Sequence, residues 1–520
     1  MLMQADRSFE RTAGADRIGC RTRKEDPMDA GKIFEKKPGI GLNPYLPEYE
    51  YIPDGEPHVF GDRIYVYGSH DHFEGKVFCM GDYVSYSASV KDLTKWRFEG
   101  VIYTRTQDPR MADGTHYLWA PDVVQGKDGR YYLYYCPDDT IKSIGVAVCD
   151  SPAGKYEFLG VVQDRNGGRL GERPGDTIAF DPGVYIDEDG EIYLYSGNGP
   201  RTKSAIGKEP KASVVVKLCD DMITMKSEPV HLLPALGESL ETGFEGHEFF
   251  EASSIRKING LYYLVYSSAA LHQLCYAVSE RPDGDYRYGG VLISNAELFE
   301  SDEKPAMKNC WGNNHGSIEI IDGQYYIFYH VPTNRSMYSR QGRAEKLTIL
   351  PDGTIPQVHM TSQGLNGAPL PAEGTWPASC VCILHGKKPP AIAHALAMGK
   401  RHPYVTQDGP DFPVESMPDD TPAPRQYITN GKDGMLAGFR YFDAAEPVGL
   451  SVTARGKMKG LLEVRTGRDG ALRGTIPVSS AKDWTEFRGD VRIPAGVQGI
   501  YLVFRGRGAI DLLEFSFISE

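Results

Sequence analysis

The chain has 520 residues, more than one typical domain, and we expect two domains. Its formal net charge of −13 argues against nucleic acid or an anionic membrane surface as the main partner, because neither attracts such a chain at long range. No stretch of about 18 consecutive apolar residues occurs, so the sequence predicts no membrane-spanning helix.

Residues 1–40 are largely polar and charged, which predicts a disordered N-terminal tail. They contain no apolar segment of the kind that a secretory signal requires, so we expect a cytoplasmic protein. The nine cysteines are scattered and odd in number, which favours a reducing compartment over a disulfide framework.

Residues 41–360 contain one sequence unit five times. In each unit an acidic residue or a histidine stands seven to nine positions before a glycine, and an aromatic segment such as IYVYGS or YYLYY follows. The five leading residues are Asp54, Asp122, Asp181, Glu251 and His315. The units recur roughly every 65 residues, a period that suits a multi-stranded sheet and is too long for a helical repeat. A radially repeated sheet is a propeller, so we predict a five-bladed β-propeller.

Each leading residue falls near the start of the strand before the aromatic one, because the Asp-Gly or Asn-Gly between most of these pairs marks a hairpin turn. If the leading strand is the innermost of each blade, four carboxylates and one imidazole meet on the propeller axis. For any one residue, capping a turn is at least as good an explanation. The fivefold repetition favours a functional site.

The composition changes after residue 360. A stretch rich in Pro, Ala and Gly, with a short helix-compatible piece at AIAHALAMG, precedes seven short alternating segments from MLAGFRYF to IDLLEFSF. Their spacing of roughly ten residues predicts a linker and a β-sandwich of jelly-roll type over residues 361–520. We therefore expect an all-β protein, a five-bladed propeller at 41–360 followed by this sandwich.

Five longer motifs carry a family resemblance: NPYLPEYEYIPDGEPHVFGDRIYVYGSHD, LWAPDVV, AFDPGVYIDEDG, FFEASSIRKINGLYYLVYS and NNHGSIEIIDGQYYIFYH. With them, residues 41–360 resemble the family 43 glycoside hydrolases. The resemblance implies a five-bladed propeller that cleaves arabinose- and xylose-containing glycans with inversion. Inversion requires one protonated and one ionised carboxyl, about 6.5–9.5 Å apart.

By this resemblance Asp54 would be the general base, Glu251 the general acid, and Asp181 the aspartate that orients the acid and tunes its pKa. A neighbouring negative charge and burial both raise the pKa of an acid, so a third carboxyl is useful. Relatives often carry Asp directly before Pro, whereas Glu56 occupies that place in PDGEPHVF. Glu56 is therefore an alternative base.

The resemblance implies further site residues. His315 would hold a calcium or other ion on the axis through water molecules, and no organic cofactor is expected. Trp119 would form part of the pocket wall, and Arg343 in QGRAEKL would contact the substrate. Asp122 receives no chemical step, and we interpret it as structural or as a ligand of substrate hydroxyls.

The segment from about residue 370 resembles a family 6 carbohydrate-binding module. Tyr441, Phe442 and Trp484 are candidate platforms for sugar rings, with core packing as the alternative for each. The whole domain can equally be a structural brace for the propeller.

Together these features predict a glycoside hydrolase that removes terminal arabinofuranosyl or xylosyl residues from plant-type oligosaccharides, as an α-L-arabinofuranosidase or β-xylosidase in xylan degradation. One alternative is an endo-arabinanase or galactofuranosidase of the same fold, depending on loops such as 72–82 and 104–117. Another is a non-catalytic carbohydrate-binding propeller. The presence of Asp54, Asp181 and Glu251 together argues against the latter.

Overall fold

The computed structural model describes residues 32–138, 140–202, 212–418 and 421–519. Strands dominate this part of the chain, which confirms the all-β prediction. They form five separate antiparallel sheets in chain order, followed by one large curled sheet. Of the predicted disordered tail, residues 1–31 lie outside the described residues, whereas Ile33–Glu35 forms a strand that pairs with the first sheet.

The five separate sheets are the blades of a propeller. Blade 1 consists of β1 (Ile33–Glu35), β2 (Glu56–Phe60), β3 (Arg63–Tyr67), β4 (Tyr83–Ser89) and β5 (Asp92–Tyr103). Blade 2 consists of β6 (Leu118–Gln125), β7 (Tyr131–Pro137), β8 (Gly145–Cys149) and β9 (Glu157–Val161). Blade 3 consists of β10 (Gly183–Ile186), β11 (Ile192–Ser196), β12 (Val214–Leu218) and β13 (Val230–His231). Blade 4 consists of β14 (Phe249–Ile258), β15 (Leu261–Ser268), β16 (Gln273–Ser279) and β17 (Arg287–Ser294). Blade 5 consists of β18 (Ile318–Ile321), β19 (Gln324–Pro332) and β20 (Arg340–Leu347).

The strands that carry or follow the leading residues surround the axis. Strand β2 contacts β6, β6 contacts β10, β10 contacts β14, and β18 contacts β2. A backbone bridge between Gly55 and Gly316 joins the first blade to the last. The strands that carry or follow the leading residues are therefore the innermost strands of the blades, as a shared site on the axis requires.

The aromatic segments form the second strand of each blade. The glycine before each of them has a positive φ, between 65° and 83°, as a tight hairpin turn requires. Their side chains fill the space between successive blades: Tyr134 of β7 packs in one cluster with Leu194 of β11, and Tyr195 in another with Tyr266 of β15. The aromatic content is mostly core.

The C-terminal region is one sheet curled around its own core. Its elements are β21 (Leu370–Pro371), β22 (Thr375–Pro377), β23 (Ile383–His385), α1 (Ala395–Lys400), β24 (Tyr404–Gln407), β25 (Gln426–Gly431), β26 (Leu436–Ala444), β27 (Val448–Thr466), β28 (Ala471–Arg488), β29 (Asp490–Val491), β30 (Gly496–Gly508) and β31 (Ile510–Ser519). The main strand order is β21-β26-β30-β27-β31-β25-β24. Short 3-10 turns lie at Arg105–Gln107, Pro109–Met111, Gly364–Asn366, Ala378–Cys380 and Val414–Ser416.

The segment count predicted for this region is wrong in two respects. Strand β28 runs without interruption from LRGTIPV into the first residues of TEFRGDVRI. The segments VGLSVTARG and GLLEVRTG are one continuous strand, β27, rather than two. The register of β27 against β28 shifts on both sides of Gly456, so the glycine bulges the ladder instead of ending the strand. In the sequence alone, a glycine within an alternating pattern can mark either the end of a strand or a bulge inside one.

The three aromatic residues proposed as sugar platforms differ in their surroundings. Phe442 is buried between Trp376 and Phe515, so it packs in the core and cannot receive a sugar. Tyr441 is partly buried. Trp484 is partly exposed, but the guanidinium of Arg455 lies 4.1 Å from its ring centroid and covers one face.

The curled sheet packs directly against blades 4 and 5. Ile258 and Tyr329 of these blades share one buried hydrophobic cluster with Ile383, Leu436 and Tyr501 of the C-terminal region.

Among the described residues no helix is long and apolar enough to cross a membrane. The eight cysteines within that part of the chain are all free.

Candidate active site

A cavity of about 590 Å³ lies at the end of the axis where the inner strands begin. Four of the five leading residues line it: Asp54, Asp181, Glu251 and His315. An aromatic wall of Phe78, Trp119, Phe180 and Phe250 completes much of the lining. The volume is within the range of small-molecule sites, and polar groups that converge in an aromatic-walled cavity are typical of them.

The chain turns sharply just before two of the inner strands. Asp54 has a φ of 56° and Asp181 a φ of 46°, and each stands two residues ahead of its strand. This left-handed conformation is costly for a residue with a side chain, about 1–3 kcal/mol, and it is concentrated at functional sites. Aspartate tolerates it better than most residues.

Three groups hold Asp54, two of them through its carboxylate and one through its backbone N–H. Arg340 Nη1 donates to Oδ1 at 3.0 Å, and the hydroxyl of Ser69 donates to Oδ2 at 2.6 Å. His330 Nδ1 accepts from the Asp54 backbone N–H at 3.2 Å, and its Nε2 donates to the carbonyl of Asn313. Burial, the largest single influence, would raise the pKa of Asp54, but Arg340 together with His330 and His315 outweighs it and holds that pKa far below the usual range. Asp54 is therefore ionised at neutral pH.

Arg340 is itself fixed in place. Its Nε and Nη2 donate to the two oxygens of Asp71 at 2.7 and 3.0 Å, a bidentate pair that is buried. The guanidinium lies 4.6 Å from the ring centroid of Phe78, which lines the cavity. The positive charge beside Asp54 is therefore rigidly held.

Glu251 has the opposite environment. It lies in β14 between two register shifts of the β14/β15 ladder, which turn its side chain into the cavity. Its Oε2 accepts from Asn198 Nδ2 at 3.1 Å. Burial, and then the negative charge of Asp54, raise the pKa of Glu251 to about 8. Glu251 therefore holds its proton at neutral pH.

Asp181 is connected to the strand that carries Glu251. Its Oδ2 accepts the backbone N–H of Ala252 at 3.1 Å, and the thiol of Cys136 lies 3.6 Å from Oδ1. Burial, and then the charge of Glu251, raise the pKa of Asp181 well above the ordinary value. Asp181 and Glu251 therefore titrate as a pair that keeps at least one proton near neutral pH.

His315 faces two of the three carboxyls. Its Nδ1 lies 3.5 Å from Asp181 Oδ2 and 3.9 Å from Asp54 Oδ1. Burial lowers the pKa of His315 to about 4, so the imidazole is neutral. A neutral imidazole is the form that can bind a metal ion.

Two further carboxyls, Asp122 and Glu56, lie deeper along the axis and outside the cavity lining. Asp122 stands two residues beyond Ala120, which lines the cavity, and Glu56 stands two residues beyond Asp54 in the same way. Both side chains are almost completely buried. The expectation that Asp122 binds substrate is wrong, because this buried residue accepts from His58 Nε2 at 2.7 Å and from the Val184 N–H. The same depth argues against Glu56 as the base.

Glu56, His58 and Asp122 form a group able to hold a metal ion, since their ligand atoms lie within 4.8 Å of one another. Glu56 Oε1 is buried and has no hydrogen-bond partner among the described residues. Burial, and then the charge of Asp122, raise the pKa of Glu56 to about 8. Arg256 Nη2, 3.4 Å from Glu56 Oε2, already supplies one positive charge here.

The predicted substrate contact of Arg343 is also wrong. Arg343 is buried, lies outside the cavity lining, and donates from Nη2 to the carbonyl of Val381 in the C-terminal region. Arg340 is three residues earlier in β20, and an odd separation places two side chains on opposite faces of a strand. Arg340 takes the face toward the cavity, and Arg343 the face toward the C-terminal region.

The sequence did not indicate the lining residues Arg340 and Asn198, or Ser69, which lies behind the lining and donates to Asp54. Ser69 lies in the YGSHD motif that the sequence singled out, together with Asp71. Because side chains alternate between the two faces of β20, only one of its arginines Arg340 and Arg343 can face the axis, and the sequence does not show which one. Asn198 follows an aromatic strand within SGNG, which reads as an ordinary turn.

The geometry combines an ionised carboxylate, a protonated carboxyl and a third carboxyl coupled to it in one cavity. Such a pair can deprotonate a water molecule while protonating a leaving oxygen. The aromatic wall suits the apolar face of a sugar ring.

Comparisons with known proteins agree with this chemistry. A family model described as “Glycosyl hydrolases family 43” matches residues 53–355. A “Xylosidase/arabinosidase” from Thermoclostridium stercorarium is 47% identical over 483 residues, 92% of this chain and 99% of that protein. Another “Xylosidase/arabinosidase”, from Bacteroides ovatus, is 32% identical and covers 60% of this chain and 96% of that protein. A crystal structure of a family 43 enzyme from Xanthomonas citri complexed with xylose is 26% identical, covers 64% of this chain and 96% of that chain, and superposes with a TM-score of 0.49.

Proposed function

The chain belongs to family 43 of the glycosyl hydrolases, and from this premise we propose that it removes terminal xylosyl or arabinofuranosyl units from short plant-type oligosaccharides. It is an enzyme that hydrolyses glycosidic bonds with inversion. The choice of sugars is supported by the xylosidase/arabinosidase from Thermoclostridium stercorarium, which matches this chain along nearly its whole length. The observation that carries the proposal is the pair Asp54 and Glu251, which face one cavity in opposite protonation states.

We assign the general base to Asp54. Ionised and fixed by Arg340 and Ser69, it takes a proton from the water molecule that attacks the anomeric carbon. The water adds from the face opposite the leaving group, so the configuration inverts. A general base contributes roughly 10²–10⁴-fold to the rate, which sets the loss expected from Asp54→Asn.

We assign the general acid to Glu251, which gives its proton to the glycosidic oxygen as the bond breaks. Asn198 fixes the orientation of its carboxyl. Asp181 acts through Glu251, because the two carboxyls titrate as a coupled pair and its bond to the Ala252 N–H ties Asp181 to the same strand. Asp181 is thus a positioning and tuning residue.

The test is hydrolysis of a panel of nitrophenyl glycosides and natural oligosaccharides. We expect release of nitrophenol from β-xylopyranosyl or α-arabinofuranosyl substrates and release of single pentoses from xylo- or arabino-oligosaccharides. The wild type is compared with Glu251→Ala, whose activity on oligosaccharides should fall at least about 10²-fold. Activity restricted to galactofuranosyl substrates, or long products from intact arabinan, would replace the proposal by one of the alternatives of the same fold. Binding without any hydrolysis would replace it by a non-catalytic protein.

We further propose that His315 holds a calcium ion through water molecules. The support is a buried, neutral imidazole beside the carboxyls of Asp54 and Asp181. Bound there, the ion would supply positive charge below the sugar. The group of Glu56, His58 and Asp122 offers an imidazole and two carboxylates, a donor set that suits a transition metal better than calcium. Metal analysis of purified protein before and after dialysis against EDTA, with thermal unfolding in parallel, tests both: bound calcium lost in His315→Ala supports the first, and absence of any ion contradicts it.

A further inference from the structure

A cavity of about 30 Å³ lies in the interface between the propeller and the C-terminal region. Val331 and Arg343 of blade 5 form part of one side, and Val381, Leu384 and Val405 of the C-terminal region form part of the other. Every residue of the lining is buried. A space of this size holds one water molecule or one monatomic ion, and we call it the interface cavity.

Arg343 is the only charged residue of this lining, and it is 2% exposed. Its Nη2 donates to the carbonyl of Val381 at 2.9 Å. Its Nε and Nη1 are buried and have no hydrogen-bond partner among the described residues. A guanidinium keeps its charge in proteins, and all of its N–H groups are donors. Two donors and one positive charge are therefore unmatched at the interface cavity.

The carboxyl nearest along the strand does not neutralise Arg343. Glu345 lies two residues further along β20, on the same face. Its Oε1 accepts from the Thr361 N–H at 2.7 Å and from the Tyr329 hydroxyl at 3.0 Å. Burial raises the pKa of Glu345 to about 8, so this carboxyl holds its proton at neutral pH. Among the described residues Arg343 has no ion-pair partner.

The other ionisable groups around the interface cavity add no negative charge that could balance Arg343. Burial raises the pKa of Cys380 to about 12 and raises that of Cys382 as well, so both thiols are neutral. Burial, opposed by the charge of Glu48 and reinforced by that of Arg343, lowers the pKa of Lys36 to about 8. Lys36 and Glu48 carry opposite charges and offset each other. The charge of Arg343 is therefore not balanced by the described part of the protein.

A buried charge without a counter-charge destabilises a fold, so such groups in proteins are paired. A water molecule in the interface cavity would accept from Nε and Nη1 of Arg343 but would leave the charge unbalanced. A small anion accepts from the same two donors and also neutralises the guanidinium. Sulfate, phosphate and carboxylates are too large for a space of about 30 Å³, which leaves a monatomic anion.

We propose that the interface cavity binds one chloride ion, held by Nε and Nη1 of Arg343 against the apolar side chains of Val331, Leu384 and Val405. The ion neutralises Arg343 and couples blade 5 to the C-terminal region. The site stabilises the assembly of these two parts and takes no part in the hydrolysis of a glycosidic bond.

Bromide is the first probe, because it replaces chloride at such sites and is identified by its anomalous X-ray scattering. The wild-type protein is purified and crystallised in sodium bromide without chloride. We expect an anomalous peak inside the interface cavity, within hydrogen-bonding distance of Nε and Nη1 of Arg343. An ordered water molecule at that place, or bromide bound only at the protein surface, would overturn the proposal.

Thermal unfolding gives a test in solution, since an ion that binds only the folded protein raises its Tm. The wild type and Arg343→Met are each unfolded in sodium chloride and in sodium gluconate at equal ionic strength. We expect the wild type to gain about 2 °C more from chloride than Arg343→Met does, once chloride reaches about 100 times its Kd. Equal gains in the two proteins would overturn the proposal.

Arg440→Met is the matched control, because Arg440 is also a buried arginine of this interface but is paired with Glu297 at 2.6 Å. Its Tm should fall, whereas its gain from chloride should equal that of the wild type. Loss of the gain in Arg440→Met as well as in Arg343→Met would contradict a site at Arg343. If Arg343→Met does not fold, the bromide experiment on the wild type decides.

Discussion

Asp54 and Glu251 are similar carboxyls whose surroundings drive their pKa values apart. The charge of Arg340 keeps Asp54 ionised, whereas burial and the charge of Asp54 keep Glu251 protonated. Acid and base roles follow from this separation rather than from residue type. The sequence supplied the two residues through a repeated pattern and a family resemblance. It could not supply the difference between them, because that difference depends on an arginine nearly 290 residues away.

The pKa values predict the pH dependence of the reaction. Glu251 must be protonated and Asp54 ionised, so activity should hold from weakly acidic pH to about pH 8 and decline above it as the Asp181/Glu251 pair loses its proton. The profile of kcat/KM for xylobiose checks this. In Glu251→Gln the residual activity should lack that alkaline decline, and a decline that persists there would assign it to another group.

At the scale of the elements, the inner strands position the site and alternation decides which side chains reach it. The fivefold pattern of leading residues correctly indicated the inner strands. It could not show that Asp122 lies deeper along the axis than Asp181. Asp122 stands inside β6, four residues after its start, whereas Asp181 stands two residues before the start of β10. The same ambiguity separates Arg340 from Arg343 on β20. A one-residue difference in register reverses the side on which a residue lies, and periodicity alone does not fix register.

Two inner strands approach so closely that only glycine fits between them. A Cβ on Gly183 of β10 would lie 2.4 Å from the carbonyl oxygen of Ser253 in β14. Gly183→Ala should therefore push the two strands apart, lower the free energy of unfolding by about 1–3 kcal/mol, and reduce kcat by separating Asp181 from Glu251. Urea unfolding and kinetics on xylobiose measure the two effects.

Gly55 provides the control, because it also lies at the axis but a Cβ there would approach nothing closer than 3.4 Å. Gly55→Ala should keep stability within about 0.5 kcal/mol of the wild type. Equal stability losses in both variants would show that the close approach of β10 and β14 is not the cause.

At the scale of the whole molecule, the propeller and the C-terminal region pack directly against each other in the part of the chain that the structure describes. The sequence predicted both architectures, but it could not predict the interface, which joins residues far apart in the chain. That interface uses Arg343, Ile383 and Tyr501, residues whose types fit a core or a site equally well. The cytoplasmic location stays a prediction, as does sugar binding by the C-terminal region itself.

A buried ion pair connects the two parts and predicts a large stability effect. Arg440 Nη2 of the C-terminal region donates to Glu297 Oε1 of the propeller at 2.6 Å, and both side chains are buried. Glu297→Gln should lower the free energy of unfolding by about 3–5 kcal/mol, because it leaves the Arg440 charge unpaired. Urea unfolding of the variant measures this effect.

The double variant Glu297→Gln with Arg440→Met should recover part of the loss, since it removes the unpaired charge. Lys387→Ala, which breaks an exposed pair with Asp433, should change stability by less than about 1 kcal/mol. A loss in Glu297→Gln no larger than that of Lys387→Ala would contradict the role of the interface pair.

The most direct test of the central claim compares two leaving groups in the same variants. Cleavage of xylobiose requires protonation of the departing oxygen, whereas dinitrophenyl β-xyloside requires almost none. Glu251→Gln should therefore lose about 10³-fold in kcat/KM on xylobiose but less than about tenfold on the dinitrophenyl substrate. Asp54→Asn should lose a similar factor on both, since both need the activated water.

Glu56→Gln is the matched control, because Glu56 is a buried axial glutamate whose pKa is also raised to about 8 but which lies outside the cavity. It should retain activity on both substrates. We expect selective loss of kcat/KM on xylobiose in Glu251→Gln alone. Equal losses of kcat/KM on the two substrates in Glu251→Gln would contradict the assignment of the general acid. Loss of activity in Glu56→Gln with activity kept in Asp54→Asn would contradict the assignment of the general base.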